Sequence, residues 1–325
     1  MAGPGLPRRA LLCALALPAV ARAEPGWTPT RPLRLVVPSV PGSTPDLVGR
    51  LLAEGMRRAL GAAVVVENRP GGFGTLGLAE VARAAPDGHV LGYGNVVTMA
   101  INDAVLARQP YAMARDFAPV ALVGFVQNAI LARAGLPAAT LAELVGLMRA
   151  APGRLTHGSP GIATTGHLGF ELLLARAGTE AVHVPYRGSP QLVEALRRGE
   201  VDVACDNISS LEGVLRAGEA RGLAVTGPAR TPLFPDLPTV ADSGWPGFAV
   251  TAWGGLLVPA ATPAPAIAAL NAAANAALGQ ADLAARFAML GFETVQAPPA
   301  ALFDLAARER PIWADVVRRS GARLD

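Results

Sequence analysis

Three stretches of this 325-residue chain concentrate glycine, proline and small hydroxyl side chains. They are Pro38-Ser-Val-Pro-Gly-Ser-Thr-Pro-Asp46, Glu67-Asn-Arg-Pro-Gly-Gly-Phe-Gly-Thr-Leu-Gly77 and Ser159-Pro-Gly-Ile-Ala-Thr-Thr-Gly-His167. Glycine lets main chain approach a ligand closely, and Ser or Thr offers a neutral hydrogen bond. Each stretch sits between a short apolar run and a helical pattern. There the unpaired N–H groups and the positive end of the helix dipole receive anions. Arg69 is the only strong base in the three loops. The combination points to a small carboxylate held mainly by backbone, although each loop taken singly is also a turn that needs glycine.

Other chemistry is weaker. Gly72-Phe-Gly74-Thr-Leu-Gly77 satisfies the dinucleotide pattern G-x-G-x-x-G. That reading requires an acid at the end of the next strand, and the run Leu91-Gly-Tyr-Gly-Asn95 supplies none. The motif also follows the second strand instead of the first, and Pro70 lies inside the turn. His89, His157, His167 and His183 show neither H-E-x-x-H nor paired-cysteine spacing, so no metal is expected. His157 and His183 read as structural, while His167 could cap a helix or touch a ligand. Ser159 and His167 invite a hydrolase reading, but no nucleophile elbow or orienting acid accompanies them. Asp206-Asn207 ends an apolar run and is placed to line a cleft, whereas Asp202 reads as a strand-edge residue. No catalytic residue and no cofactor is expected.

The elements that must position these loops are legible as alternating apolar and amphipathic segments. Leu33–Val37, Ala63–Val66, Val90–Tyr93, Pro119–Gly124, Ala129–Ala132, Ala181–Val184, Val201–Ala204, Leu223–Thr226 and Leu256–Val258 read as buried strands. Continuous apolarity predicts strands covered on both faces, in a mostly parallel sheet between helix layers. Thr44-Pro45 predicts an N-cap and first helical residue, with Gly61 as the stop. Thr140-Leu-Ala-Glu143 is a capping box ahead of a helix ending near Ala150. Ser189-Pro190 opens a further helix that Gly199 closes, and Ala264–Leu278 forms another.

The chain is 51% hydrophobic and 16% charged, which excludes a disordered protein, and its length suits two domains. Its net charge of +3 rests on arginine alone, since it has no lysine. Arg8, Arg9 and Arg22 lie within residues 1–23, beyond which acids and bases balance. Nothing remains to hold a phosphate backbone, so nucleic acid is not an expected partner. Arg8-Arg9, the apolar run Ala10–Leu17 and Ala21-Arg22-Ala23 form a secretory signal with cleavage expected after Ala23, by the Sec or the twin-arginine route. The run is too short to span a bilayer. Cys13 follows bulky Leu12, against a lipoprotein site. Cys205 is the one cysteine left after cleavage, so no internal disulfide forms, and it reads as a buried small hydrophobe.

At the loops the sequence resembles the Bug family of periplasmic solute-binding proteins, which serve tripartite tricarboxylate transporters. The resemblance runs through Pro38-x-x-Pro41-Gly42, Asp46, Arg50, Glu67-Asn-Arg-Pro-Gly71, Ser159-x-Gly161, Thr164 and His167-Leu168. It continues in Val184-Pro-Tyr-Arg-Gly188, Gly199-x-Val-Asp202, Leu223-Ala-Val-Thr226, Pro235-Asp-Leu-Pro-Thr239, Gly244-Trp-Pro-Gly247 and Trp253-Gly-Gly-Leu-Leu-Val-Pro259. It covers nearly all of the chain beyond the leader, in the family's order.

The resemblance implies an α/β clamshell of the type II periplasmic-binding-protein kind, in which two domains joined by crossing strands close over a ligand. It implies domain 1 at 24–126 plus 226–300, domain 2 at 127–225, and a C-terminal helix at 301–325 packed back on the body. By the same resemblance Ser39, Gly42, Ser43 and Asp46 belong to a first carboxylate loop, and Pro70, Gly71 and Gly72 to a second. Thr98 matches a hydroxyl position facing the cleft. Ser159, Thr164 and His167 match the second-domain loop, and Asp206 a variable selectivity position. Two departures stand out: Gly42-Ser43 replaces the family's Gly-Gly, and Ala163 stands where glycine is common. The expected function is a periplasmic receptor, a monomer, that passes a small organic acid unchanged to the membrane subunits of a transporter. A protein presenting ligand to a receptor kinase, or an exported enzyme on the same scaffold, are the alternatives.

Overall fold

The computed structural model describes Met1 and residues 26–320. The expected leader lies outside the described residues. Strand β1 (Leu33–Val37) leads through the first loop into helix α1 (Thr44–Leu60), and β2 (Val64–Asn68) through the second into α2 (Thr75–Ala82). After β3 (Val90–Asn95), a π-helical turn over Val97–Ile101 runs into the short helices α3 (Asn102–Val105) and α4 (Met113–Asp116). The long strand β4 (Phe117–Arg133) is followed by α5 (Leu141–Ala150), β5 (Thr156–Ser159), α6 (Thr165–Ala177), β6 (Val182–Pro185) and α7 (Ser189–Arg198). Then come β7 (Val203–Asn207), α8 (Ile208–Arg216), β8 (Ala220–Val225) and β9 (Thr251–Pro259). The chain closes with α9 (Ala264–Leu278), α10 (Ala281–Met289), β10 (Phe292–Thr294) and α11 (Ala300–Ser320).

The strands form one curled sheet in the order β2-β1-β3-β9-β4-β7-β5-β6, with β8 and β10 also paired to β4. The outer pairs β1–β2, β1–β3, β5–β6 and β5–β7 are parallel, as helical crossovers require. Every pairing made by β4 or β9 is antiparallel, so the expectation of a mostly parallel sheet holds only for the outer strands. The reason is that these two strands carry the chain across the molecule and back, which parallel βαβ units do not. Two expected strands, Pro119–Gly124 and Ala129–Ala132, are the two ends of β4.

β4 changes partners between Gln127 and Asn128. Up to Gln127 it pairs with β9, and from Asn128 with β7. The return crossing lies beside it. The Thr226 hydroxyl accepts from the Asn128 amide at 3.0 Å and donates to the Val250 carbonyl at 2.7 Å. Thr226 N donates to Asn128 O at 2.9 Å, and Val250 N to Thr226 O at 2.7 Å. One buried side chain thus fastens three passes of the chain.

The helix signals act where expected, with one shift. Ser43, not Thr44, takes the extended N-cap conformation of α1, and Gly61 ends it in the left-handed region. Thr140 and Glu143 form the reciprocal capping box of α5. The long helix α11 buries Trp313, Val316 and Val317 and packs against β4 and α6. There Glu309 accepts hydrogen bonds from the indoles of Trp253 at 2.7 Å and Trp313 at 2.9 Å. Among the described residues, no helix is long and apolar enough to cross a membrane.

Candidate functional site

A cavity of about 700 Å³ lies between the loops that follow β1, β2, β5, β6 and β7, within the size range of small-molecule sites. Its floor is apolar: Val126, Ala252, Trp253 and Phe292 come from the crossing strands and β10.

The first loop brings in Ser39, Ser43 and Thr44. The Ser43 hydroxyl donates to Val40 O at 2.7 Å, so it tightens the loop and does not cap α1. Thr44 reaches across the cavity mouth to Ser209 and Ser210 at the start of α8. Neither Gly42 nor Asp46 lines the cavity. The Gly42 amide is held at 2.9 Å by one Asp46 oxygen. The other accepts from Asn68 at 3.0 Å and pairs with Arg50 at 2.9 Å. Asn68 also donates to Ser39 O at 3.1 Å, tying the first loop to the strand end that starts the second.

The second loop contributes Pro70, Gly71, Gly72, Phe73 and Gly74. Residues 71–74 all have positive φ, from 55° to 118°, a path that Gly71, Gly72 and Gly74 follow without the steric penalty of a Cβ and that Phe73 follows with it. The run curls the chain so that the amides of Gly72 and Phe73 have no acceptor among the described residues. The same holds for Ser39 and Thr44 on the first loop. Unpaired amides on two facing loops, each at the start of a helix, form an anion-receiving surface. Thr98 lines the cavity between them, its hydroxyl bound within the Asn95 turn.

The third loop supplies Pro160, Gly161, Ile162 and Thr164. Two expected residues lie behind it. Ser159 is fully buried, with its hydroxyl on Gly161 O at 2.9 Å and His183 Nε2 at 2.7 Å. His167 accepts from the Ala163 amide at 3.1 Å, which holds that alanine at φ 61°. The departure from glycine at 163 is therefore strain braced by a histidine. The ring of His167 stacks on His183 at 3.8 Å between centroids, and His183 on His157 at 4.8 Å. Burial pushes His167 down to about 4, with Glu171 pulling the other way. Burial and the neighbouring rings bring His183 to about 2. Ser159 is thus buried behind the third loop, and neither it nor His183 lines the cavity.

The far wall comes from Tyr186, Arg187, Gly188 and Ser189 before α7, and from Asp206 and Asn207 before α8. A Cβ at Gly188 (φ 102°) would stand 2.5 Å from the Val40 side chain, so glycine there lets the β6–α7 loop meet the first loop. Asp206 is 3% exposed; its Oδ1 accepts from the Asn207 amide at 2.7 Å. Cys205 next to it is fully buried, and burial pushes its thiol up. Among the described residues, no cluster of side chains could hold a metal.

Eight of the twelve expected residues thus line one cavity: Ser39, Ser43, Pro70, Gly71, Gly72, Thr98, Thr164 and Asp206. Gly42, Asp46, Ser159 and His167 brace its loops from behind. The sequence reading left out Tyr93, Asn95, Tyr186, Arg187, Ser189 and Trp253. The Tyr186–Ser189 segment carried a signal in its Gly-Ser-Pro helix start, and Tyr186, Arg187 and Trp253 lay in motifs of the resemblance without being assigned to the site.

Residues 48–321 match the family described as tripartite tricarboxylate transporter family receptor. A protein encoded in the tcbD-tcbE intergenic region of a Pseudomonas species is 36% identical over 290 residues, spanning 89% of this chain and 86% of its own length. Protein BugT of Bordetella pertussis is 32% identical over 297 residues, 91% of each chain. Among solved structures, a Rhodopseudomonas palustris protein with adipate superposes with a TM-score of 0.88 at 33% identity, covering 91% of this chain and 99% of that one. MatC of the same organism, with bound malate, gives 0.83 at 35%, covering 89% and 99%. The chain belongs to the tripartite tricarboxylate transporter receptor family, with Bug proteins among its homologues, and has the fold of that family's periplasmic solute-binding receptors.

Proposed function

We propose that this protein captures a small organic acid in the periplasm and delivers it, chemically unchanged, to the membrane subunits of a tripartite tricarboxylate transporter. The observation that carries the reading is the pair of facing loops whose unpaired amides at Ser39, Thr44, Gly72 and Phe73 meet in one cavity. Dipoles without a buried cation hold a carboxylate and still release it, as a shuttle requires. The adipate- and malate-bound relatives support a carboxylate ligand.

Residues 24–126 with 226–300, and residues 127–225, would be the two jaws. The partner change of β4 at Gln127/Asn128 and the crossing at Thr226 support a hinge there. Ligand contacts made only in the shut form would drive closure. Export by the leader at 1–23, a monomeric state and the absence of catalysis complete the proposal.

Thermal-shift screening against di- and tricarboxylates, aromatic carboxylates and amino acids tests it. A ligand at a hundred times its Kd adds about 2.7 kcal/mol of stability. No shift with any acid at millimolar concentration, or turnover of one of them, overturns the proposal.

A further inference from the structure

Among the described residues, Asp206 is the only acidic one lining the cavity, and Arg187, on the exposed rim, is the only basic one. The Asp206 carboxylate already occupies the anion position at the start of α8, where Oδ1 takes the Asn207 amide at 2.7 Å. Its Oδ2 is buried and makes no hydrogen bond of normal geometry, although the Ser189 hydroxyl on the same cavity wall helps to stabilise the charge. Burial pushes the carboxyl up to about 6, against the pull of Ser189 and the Asn207 amide. A buried acceptor left unpaired costs free energy that a ligand donor would recover. A second ionised carboxylate placed there would instead face like charge in a poorly solvated pocket.

We infer that Asp206 makes the preferred ligand an amino or hydroxy acid, whose carboxylate lies on the loop amides and whose N–H or O–H donor meets Asp206 Oδ2, in preference to a dicarboxylate dianion. This rests on the proposed carboxylate-binding reading and specifies its far end. The ligand's two ends then have different partners, which sets its direction in the cavity as well as its class.

The test is calorimetric titration with length-matched sets of three to six carbons, such as succinate, 4-hydroxybutyrate and 4-aminobutyrate, together with 2-amino and 2-hydroxy acids. In the native protein the tightest binder is expected to carry an amino or hydroxy group and to exceed its matched dicarboxylate by about tenfold or more. Asp206→Asn should weaken the amino acids by a similar factor and tighten the dicarboxylates. Should Asp206→Asn fail to fold, Asp206→Ser serves, and the ranking in the native protein decides by itself. A dicarboxylate binding tightest, or a ranking unmoved by replacing Asp206, overturns this inference and leaves the receptor reading intact. Binding of no acid at all overturns both.

Discussion

The hydroxyl of Thr44 lies 2.5 Å from that of Ser209 and 3.1 Å from that of Ser210, joining the first turns of α1 and α8 over the cavity. Helix α1 follows β1 near one edge of the sheet, whereas α8 follows β7 beside the central strand β4. Pro190 and Gly42 approach beside it, as do Gly188 and Val40. In the proposed two-jaw reading this contact would act as a latch on the shut form.

Replacing Thr44 by valine keeps the shape and removes the hydrogen bonds. A net value of about 0.5–1.5 kcal/mol predicts ligand affinity weakened roughly two- to tenfold, chiefly through faster release. Stopped-flow dissociation of a bound acid measures it. An unchanged release rate would show that the latch contributes nothing.

Gly74→Ala puts a Cβ 2.6 Å from the Thr98 methyl and 3.3 Å from Pro38 O, at φ 83°. The expected result is roughly 1–2 kcal/mol of lost stability from the left-handed backbone, together with at least tenfold weaker binding, because the second loop must move. Gly153→Ala is the control: its φ is 69°, but nothing lies within 4 Å of the added carbon. It should cost comparable stability and leave affinity alone. Equal binding loss in both variants would refute a local effect on the loop.

Asp46→Asn tests whether the first loop is braced or merely packed. Burial opposes ionisation of Asp46, but hydrogen bonds from Arg50, Gly42 and Asn68 outweigh it and hold the carboxyl below its ordinary value. A depressed folded pKa contributes stability above the unfolded value near 3.8, which is lost as pH falls through the folded one. The variant should melt lower at pH 7, by a free energy of about 1–3 kcal/mol. The gap to the native protein should narrow toward pH 3. A constant gap across that range would contradict the electrostatic account.

The histidine stack predicts a separate acid sensitivity. His167 and His183 sit at about 4 and about 2 in the folded protein, against 6.5 when solvated, so both are folded in the neutral form. Their contribution is complete above pH 6.5 and is lost as pH falls toward 4. Asp206 has the opposite sign: its folded pKa of about 6 exceeds 3.8, so the cost of burying it as an anion disappears as pH drops below 6. Melting temperature should still fall between pH 6.5 and 4, because two histidines oppose one carboxyl. In His167→Gln the fall should be shallower. A profile identical to that of the native protein would remove His167 as a contributor.

Local signals were sufficient for most elements because their causes are local. The Thr140–Glu143 box, the Pro190 start and Gly199 stop of α7, and the apolar runs of β1 and β3 each act within a few residues, and the structure places them where the sequence did. The three-residue strand β10 was not legible, since only its pairing with β4 makes it a strand. The N-cap of α1 lies one residue earlier than expected, at Ser43, and the Thr44 hydroxyl pairs with Ser209, 165 residues away.

By itself the sequence determined the α/β class, the helix starts and stops, and three glycine-rich loops with open amides, all consequences of backbone preference at short range. Tertiary structure alone decided which of those loop residues line the cavity. Asp46, Ser159 and His167 turned inward as braces, because a loop of small residues needs buried polar partners to hold its shape. Tyr186 and Trp253 became cavity wall, and Asp206 kept an unpaired oxygen there, through the packing of segments far apart in the chain, a juxtaposition that no local pattern encodes.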